Sequence, residues 1–221
     1  GPGNQYVFDT SSENGWRVMD TIQLTKGNRY QRFSGPEPRI SMRLSLGSDD
    51  ALKLGYNRMR QYIQQAQSAQ SVAPYDVWFM ASNNIPPQMA DQWSLGYFRN
   101  LTSGGIEASA EAYYKQFDQI ADIIDNGDLL ANELLESQLR IGRGWSYGLE
   151  LLLKKPEGRL NGFVGYTWSV SRREIEGINN GLPYYAPNDR RHDLSLSGSY
   201  ALNDVFSLGG SFIYATGRAF T

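Results

Sequence analysis

A few groups of ionisable side chains in this chain could carry chemistry. The densest is Asp189-Arg190-Arg191-His192-Asp193, and His192 is the only histidine of the 221 residues. At the mouth of a pore such a group could contact a ligand or a metal. Where a strand enters a membrane it would form an ion-pair network, and that reading is preferred because a lone histidine does not supply a metal's ligand set. Glu107, Glu111 and Lys115 share one side of an alternating stretch, and Glu150, Arg43 and Lys53 stand on the equivalent side of their own stretches. These side chains could line a substrate path, but ion pairs that hold neighbouring protein in place explain them better. No catalytic set emerges. His192 sits among charges and not beside a nucleophile elbow, and neither a phosphate-binding loop nor a dinucleotide fingerprint is found. The sequence therefore assigns no catalytic residue, no metal and no cofactor.

Aromatic residues between the alternating stretches are the candidates for ligand contact. Trp78 and Phe79 follow Asp76 in one long connection, and Tyr184 and Tyr185 lie in another. Packing among the loops themselves is the competing role for each. Two further segments, 120–124 and 129–139, space their apolar residues as helices do, and they predict helical lids or self-packed loop cover.

The elements that must position these residues are strands. Ile40, Met42, Leu44 and Leu46 alternate with Arg39, Ser41, Arg43 and Ser45, so one face is apolar and the other wet. The same rhythm recurs in Leu52–Asn57, Gln92–Tyr97, Ile106–Lys115, Trp145–Lys154, Leu160–Val170, Asp193–Tyr200 and Val205–Tyr214. Phe163, Val205 and Ile213 break the pattern. Tight turns such as Gly47-Ser48-Asp49-Asp50 and Pro156-Glu157-Gly158 alternate with long connections near 60–90, 118–143 and 172–189. Turns on one side, loops on the other, and Trp, Tyr and Phe near the strand ends predict an antiparallel transmembrane β-barrel. It would have short periplasmic turns and long extracellular loops.

Composition limits the alternatives. Mean hydropathy is negative, and no apolar run reaches the roughly 18 residues of a membrane-crossing helix. Net charge is −2 with scattered basic residues, which points away from nucleic acid as a partner. The chain has no cysteine, hence no disulfide framework. A soluble β-sandwich would also alternate, burying its apolar face against a second sheet. It would usually carry more Lys, Glu and Thr on the outside, whereas the polar faces here favour Ser, Gly and Asn. A stand-alone eight-stranded barrel would have to fill its interior with side chains. Ser146, Gly148, Ser195, Ser197 and Ser199 fill little, which favours a wider barrel.

An ordered series of segments then carries a resemblance. The series comprises Glu37-Pro38-Arg39-Ile40-Ser41, Leu54-Gly55-Tyr56-Asn57-Arg58-Met59-Arg60-Gln61-Tyr62-Ile63, Asp76-Val77-Trp78, and Pro87-Gln88-Met89-Ala90-Asp91-Gln92. It continues with Ser94-Leu95-Gly96-Tyr97-Phe98-Arg99-Asn100, Glu111-Ala112-Tyr113-Tyr114-Lys115, Tyr147-Gly148-Leu149-Glu150-Leu151, Asp189-Arg190-Arg191-His192-Asp193-Leu194, and Thr216-Gly217-Arg218. The set resembles the barrel domain of TonB-dependent outer-membrane receptors, especially those of the Bacteroidetes type, over residues 35–221. The resemblance implies part of a closed, all-β antiparallel barrel of roughly 22 strands with a plugged lumen. It further implies location in the bacterial outer membrane, energy-coupled uptake of a nutrient ligand, and outer-membrane lipid as surroundings. Partners would be the plug of the same full-length protein and, through a TonB box, the TonB complex. Plug and box are not seen in this sequence. On this reading Arg43, Lys53, Glu107, Glu111, Lys115, Glu150, Arg191, His192 and Asp193 face the lumen or plug. Trp78, Phe79, Tyr184 and Tyr185 face the ligand. Residues 1–34 are expected to be a protease-cleavage scar (Gly1-Pro2-Gly3) followed by an extracellular loop, and the whole to be a piece of a larger barrel. A soluble or surface β-rich binding module is the alternative.

Overall fold

A computed structural model of the chain describes residues 4–9, 17–23, 31–66, 77–101, 105–125 and 134–217. Strands β1 (Asn4–Asp9) and β2 (Arg17–Gln23) form a separate antiparallel hairpin. The main sheet begins with β3 (Arg39–Ser45) and β4 (Asp50–Gln61). A second small hairpin follows, β5 (Ile63–Ala66) with β6 (Val77–Met80). The chain then returns to the main sheet as β7 (Gln88–Leu101), β8 (Ile106–Ile123), β9 (Leu139–Lys155) and β10 (Leu160–Glu174). The two-residue β11 (Tyr184–Tyr185) folds back on β10, and β12 (His192–Ala201) and β13 (Ser207–Ala215) complete the sheet.

Each strand of the main sheet pairs antiparallel with the next, in the order β13-β12-β10-β9-β8-β7-β4-β3. This is the predicted meander. β3 and β13 are its edges and are not paired with each other, so the sheet is open. Connections at one end are tight, and local chemistry sets them. Gly158 takes a φ of +103°, which a side chain would resist, and Asn203 Oδ1 accepts the N–H groups of Val205 and Phe206 at 2.9 and 2.8 Å. The three long connections all lie at the other end.

Below the loop end no second layer covers the apolar face among the described residues. Met42 is 57% exposed, Leu95 50% and Leu208 68%, whereas a sandwich would have buried them. One row of this face reads Ile40, Tyr56, Trp93, Tyr114, Tyr147 and Val170 across six neighbouring strands. Its rings pack against one another, with centroids 5.6 Å apart for Tyr56–Trp93 and 6.0 Å for Trp93–Tyr114. Just loopward, Arg58 holds Asp91 through two 2.8 Å hydrogen bonds, and Tyr56 donates to the same carboxylate at 2.7 Å. At the turn end Asp50 pairs with Arg99 at 3.7 Å and accepts the hydroxyl of Tyr97. The strand from Asp50 to Arg58 runs about 27 Å. Tilted by about 40° it rises about 20 Å, near the roughly 25 Å apolar band of outer-membrane barrels. Greasy side chains thus fill a band bounded on both rims by aromatic rings and ion pairs.

The segment 120–124 corrects the helical expectation. Ile120–Ile123 are the last residues of β8 and pair with β9 as far as Ile123↔Leu139. Gln119, at φ 61°, forms a bulge that shifts the phase by one residue. Ile120 is thereby turned to the inner side, where it meets Ile175, Ile178 and Tyr184. Ala121 and Ile123 take the opposite side, where Phe79, Ile85 and Leu139 cover them. Apolar residues on both sides of a bulge imitate helical spacing in a linear sequence. Of the second segment, residues 129–133 lie outside the described residues, Leu135–Gln138 form one 3₁₀ turn, and Leu139 opens β9.

Candidate functional site

The polar face supplies one continuous row across the sheet. Arg43 lies opposite Lys53, and Lys53 opposite Gly96. Then come Glu111, Glu150, Thr167, Asp193 and Ala215 in turn. Five residues expected on the inner face, Arg43, Lys53, Glu111, Glu150 and Asp193, therefore share a single line. Glu107 and Lys115 lie on the same face, each two rows away from this line. Glu107 accepts from Lys154 at 3.5 Å, and the Lys115 ammonium stands 5.2 Å from the Tyr113 ring centre. Small neighbours keep this face open. The Tyr113 ring lies over Gly148, so close that a methyl group there would come within 2.9 Å of it and 2.6 Å of the Trp168 carbonyl.

His192 departs from the expectation. In the register it lies opposite Trp168, which lies opposite Leu149, so it belongs to the apolar face. Its Nδ1 shares a 2.8 Å hydrogen bond with the Tyr166 hydroxyl, and the two rings stack. The physical reason is the period of a strand: in Arg191-His192-Asp193 the middle residue must face away from its neighbours. Tyr166 satisfies the imidazole at the edge of the apolar band. Arg191 precedes β12 and is bound into the loop by Asp189 at 3.2 Å.

At the loop end the inner side carries a compact polar knot that the sequence did not reveal. Asp122 Oδ2 accepts from Arg173 and from the Tyr184 hydroxyl, each at 2.7 Å. The bulge at Gln119 aims Asp122 inward, and β11 lays Tyr184 beside Arg173. Burial, reinforced by the neighbouring Asp122 carboxylate, pushes the Tyr184 phenol far above its usual range. Tyr184 is thus a buried pin and not an open ligand contact. Tyr185 remains available. It accepts a 2.9 Å hydrogen bond from Arg172, and the Arg172 and Arg191 guanidiniums stand 4.8 and 4.9 Å from its ring centre. The hydrogen bonds from Arg172 and then Arg191 draw its phenol below the ordinary value. Phe79 is likewise buried, against Ile85, Ala121, Ile123 and Leu139, and so cannot meet a ligand. Trp78, next to it, projects the other way and is 62% exposed. Alternation along β6 separates the two neighbours.

Asp122 and Arg173 are the residues that sequence reasoning missed. Their signal was confined to a lost alternation after Phe117, which looked like the start of a loop.

The arrangement can bind by charge and hydrogen bonding on the inner face and at the loop end, while the opposite face presents hydrocarbon and rings. The family described as TonB dependent receptor-like, beta-barrel, matches residues 4–221, so it also takes in the hairpin of β1 and β2. No curated protein and no solved structure matches the chain significantly. The family is one of receptor barrels of the bacterial outer membrane and not of enzymes. An open meander with a bare apolar band, a polar inner row and loops gathered at one end is what that match predicts, and the chain belongs to the TonB-dependent receptor β-barrel family.

Proposed function

We propose that this chain forms the extracellular mouth and part of the wall of a receptor that takes up a scarce nutrient by energy-coupled transport. The uncovered apolar band carries the reading. Exposed Leu, Met and ring side chains over eight successive strands are stable in lipid and a liability in water. In this reading the inner charges Arg43, Lys53, Glu107, Glu111, Lys115, Glu150 and Asp193 meet the plug of the same full-length protein. Residues 1–34 join the extracellular loops, and residues 35–221 make barrel wall. Energy enters through the TonB complex, which touches the plug and not this chain. Ligand contact falls to two groups of the loop end: exposed Trp78, and half-buried Tyr185 with its two arginines.

Uptake measured in cells carrying the receptor tests the coupling. Collapsing the inner-membrane proton gradient should abolish accumulation of ligand while leaving surface binding intact. Accumulation that persists without the gradient would make the protein a passive pore.

A further inference from the structure

The outward face carries a basic group just above the aromatic belt. Residues opposite each other in antiparallel strands share a face. One row loopward of the belt, the register therefore sets Arg58, Asp91, Gln116, Trp145, Arg172 and Tyr185 side by side on the outside. Two residues of strand climb about 6.6 Å, or about 5 Å after tilt. The headgroup layer on each side of a bilayer is about 5–8 Å deep, so this row lies at headgroup level. Arg58 is neutralised there by Asp91. Arg172 has no ion-pair partner among the described residues. Arg191 shares Asp189, but that carboxylate is buried, and its other oxygen accepts the Ser171 N–H at 2.6 Å. Exposed Arg190 comes directly before Arg191. The next acid along this face of β10, Glu174, is held by Arg143 at 3.1 Å. Tyr185 draws two of the arginines together. The Arg172 and Arg191 guanidiniums stand 4.8 and 4.9 Å from its ring centre, and Arg172 donates to its hydroxyl at 2.9 Å. Two like charges gathered on one ring repel each other, and an anion between them removes that cost. The hydroxyl accepts from Arg172, so its own proton is free to donate to the same anion.

Resting on the receptor reading above, we propose that Arg172, Arg191 and Tyr185 bind a phosphate on the headgroup of an outer-leaflet lipid. The guanidiniums supply charge-assisted N–H donors to the phosphate oxygens, and the Tyr185 hydroxyl supplies a further one. Lipid is the source because the group faces out of the barrel, at the depth where headgroups lie, with the sheet between it and the lumen. Below Trp145 the same face of β9 continues as Tyr147, Leu149 and Leu151, an apolar surface for the lipid's chains. Consecutive residues of β11 then hold the loop from both sides: Tyr184 to Asp122 on the inner side, Tyr185 to lipid on the outer. Tyr185 and its arginines thus take lipid as their ligand, and Trp78 is left for the nutrient.

The full-length receptor, purified from the outer membrane in a maltoside detergent that carries no phosphate, is titrated with lipid A, with lipid A stripped of its phosphates, and with inorganic phosphate. Native mass spectrometry reads the bound fraction. Intact lipid A should bind about tenfold more tightly than the stripped form, as the loss of charge-assisted hydrogen bonds implies. Excess inorganic phosphate should not displace it. Arg172→Gln should weaken intact lipid A about tenfold and leave the stripped form unchanged, and Arg172→Lys should recover part of the loss. Lys155→Gln removes the same charge at the turn end of β9 and should change nothing. The comparison of the two lipids on the parent receptor needs no variant, so it stands even if Arg172→Gln does not fold. Equal binding of the two lipids, displacement by inorganic phosphate, or unchanged lipid A affinity in Arg172→Gln would overturn the proposal. So would loss of nutrient binding in Arg172→Gln with lipid A binding intact, which would give the group to the nutrient. Gradient-driven uptake by the parent reports separately on the receptor reading: its failure counts against that reading and leaves the lipid comparison standing.

Discussion

Gly148 and Asp122 show how single residues set the inner surface. A Cβ at 148 would press into both the Tyr113 ring and a backbone carbonyl, and backbone cannot yield as a long side chain does. Gly148→Ala should therefore destabilise the folded barrel by about 1–3 kcal/mol. Urea unfolding in detergent would measure it, with Gly210→Ala, where a methyl group meets nothing, as the silent control. Asp122 holds two donors at once. Asp122→Asn should loosen the 175–191 loop by about 2–3 kcal/mol, the worth of hydrogen bonds to a charged group, read as faster proteolysis within that loop. The Tyr184 phenol adds a pH dependence. Its folded-state value is raised above the unfolded value of about 10. The folded loop therefore holds the proton more tightly than the unfolded one, so this contribution is complete below about pH 10 and declines as pH rises further. Loop protection against protease should fall at strongly alkaline pH in the parent and lose that dependence in Tyr184→Phe.

At the scale of the element, strand alternation decides what each substitution costs. Leu95 and Ser195 both sit mid-strand, yet Leu95 faces the band and Ser195 the inner side. Leu95→Arg should cost about 2–4 kcal/mol in a bilayer, whereas Ser195→Arg should cost little, because a wide lumen hydrates the guanidinium. Unfolding of the receptor from lipid vesicles would rank the two, and equal costs would mean the faces are assigned wrongly. The strand ends follow the same logic. Tyr56, Trp93, Tyr114 and Tyr147 form a belt because each sits at the same height on an outward row, although they are far apart in sequence. Where alternation lapses, at Gln119, the chain does not leave the sheet. It inserts one residue and continues, so that a segment with helical spacing is extended and apolar on both sides.

For the whole molecule the open sheet is the governing fact. β3 and β13 each leave a row of backbone groups without a strand partner, and such edges recruit other strands. The isolated chain in buffer without detergent should therefore associate or precipitate; sedimentation showing a stable monomer would contradict the barrel reading. Much of this architecture was legible in one dimension, because a strand that separates lipid from a wet lumen must alternate residue by residue. Leu149-Glu150-Leu151 and Ser195-Leu196-Ser197 announce both faces without any knowledge of their neighbours. The sequence by itself thus determined strand, turn and loop order, and which residues are greasy-side and which wet-side along each regular strand. What only the tertiary structure decided is whatever depends on register between strands and on phase at an irregularity. The single row joining Arg43 to Asp193, the turning of His192 to the apolar face, the burial of Phe79 and Tyr184, and the knot on Asp122 all arise there. Alternation is a property of one strand's backbone, but the partner each side chain meets is fixed by hydrogen-bond register to another strand, and a one-residue bulge reverses it.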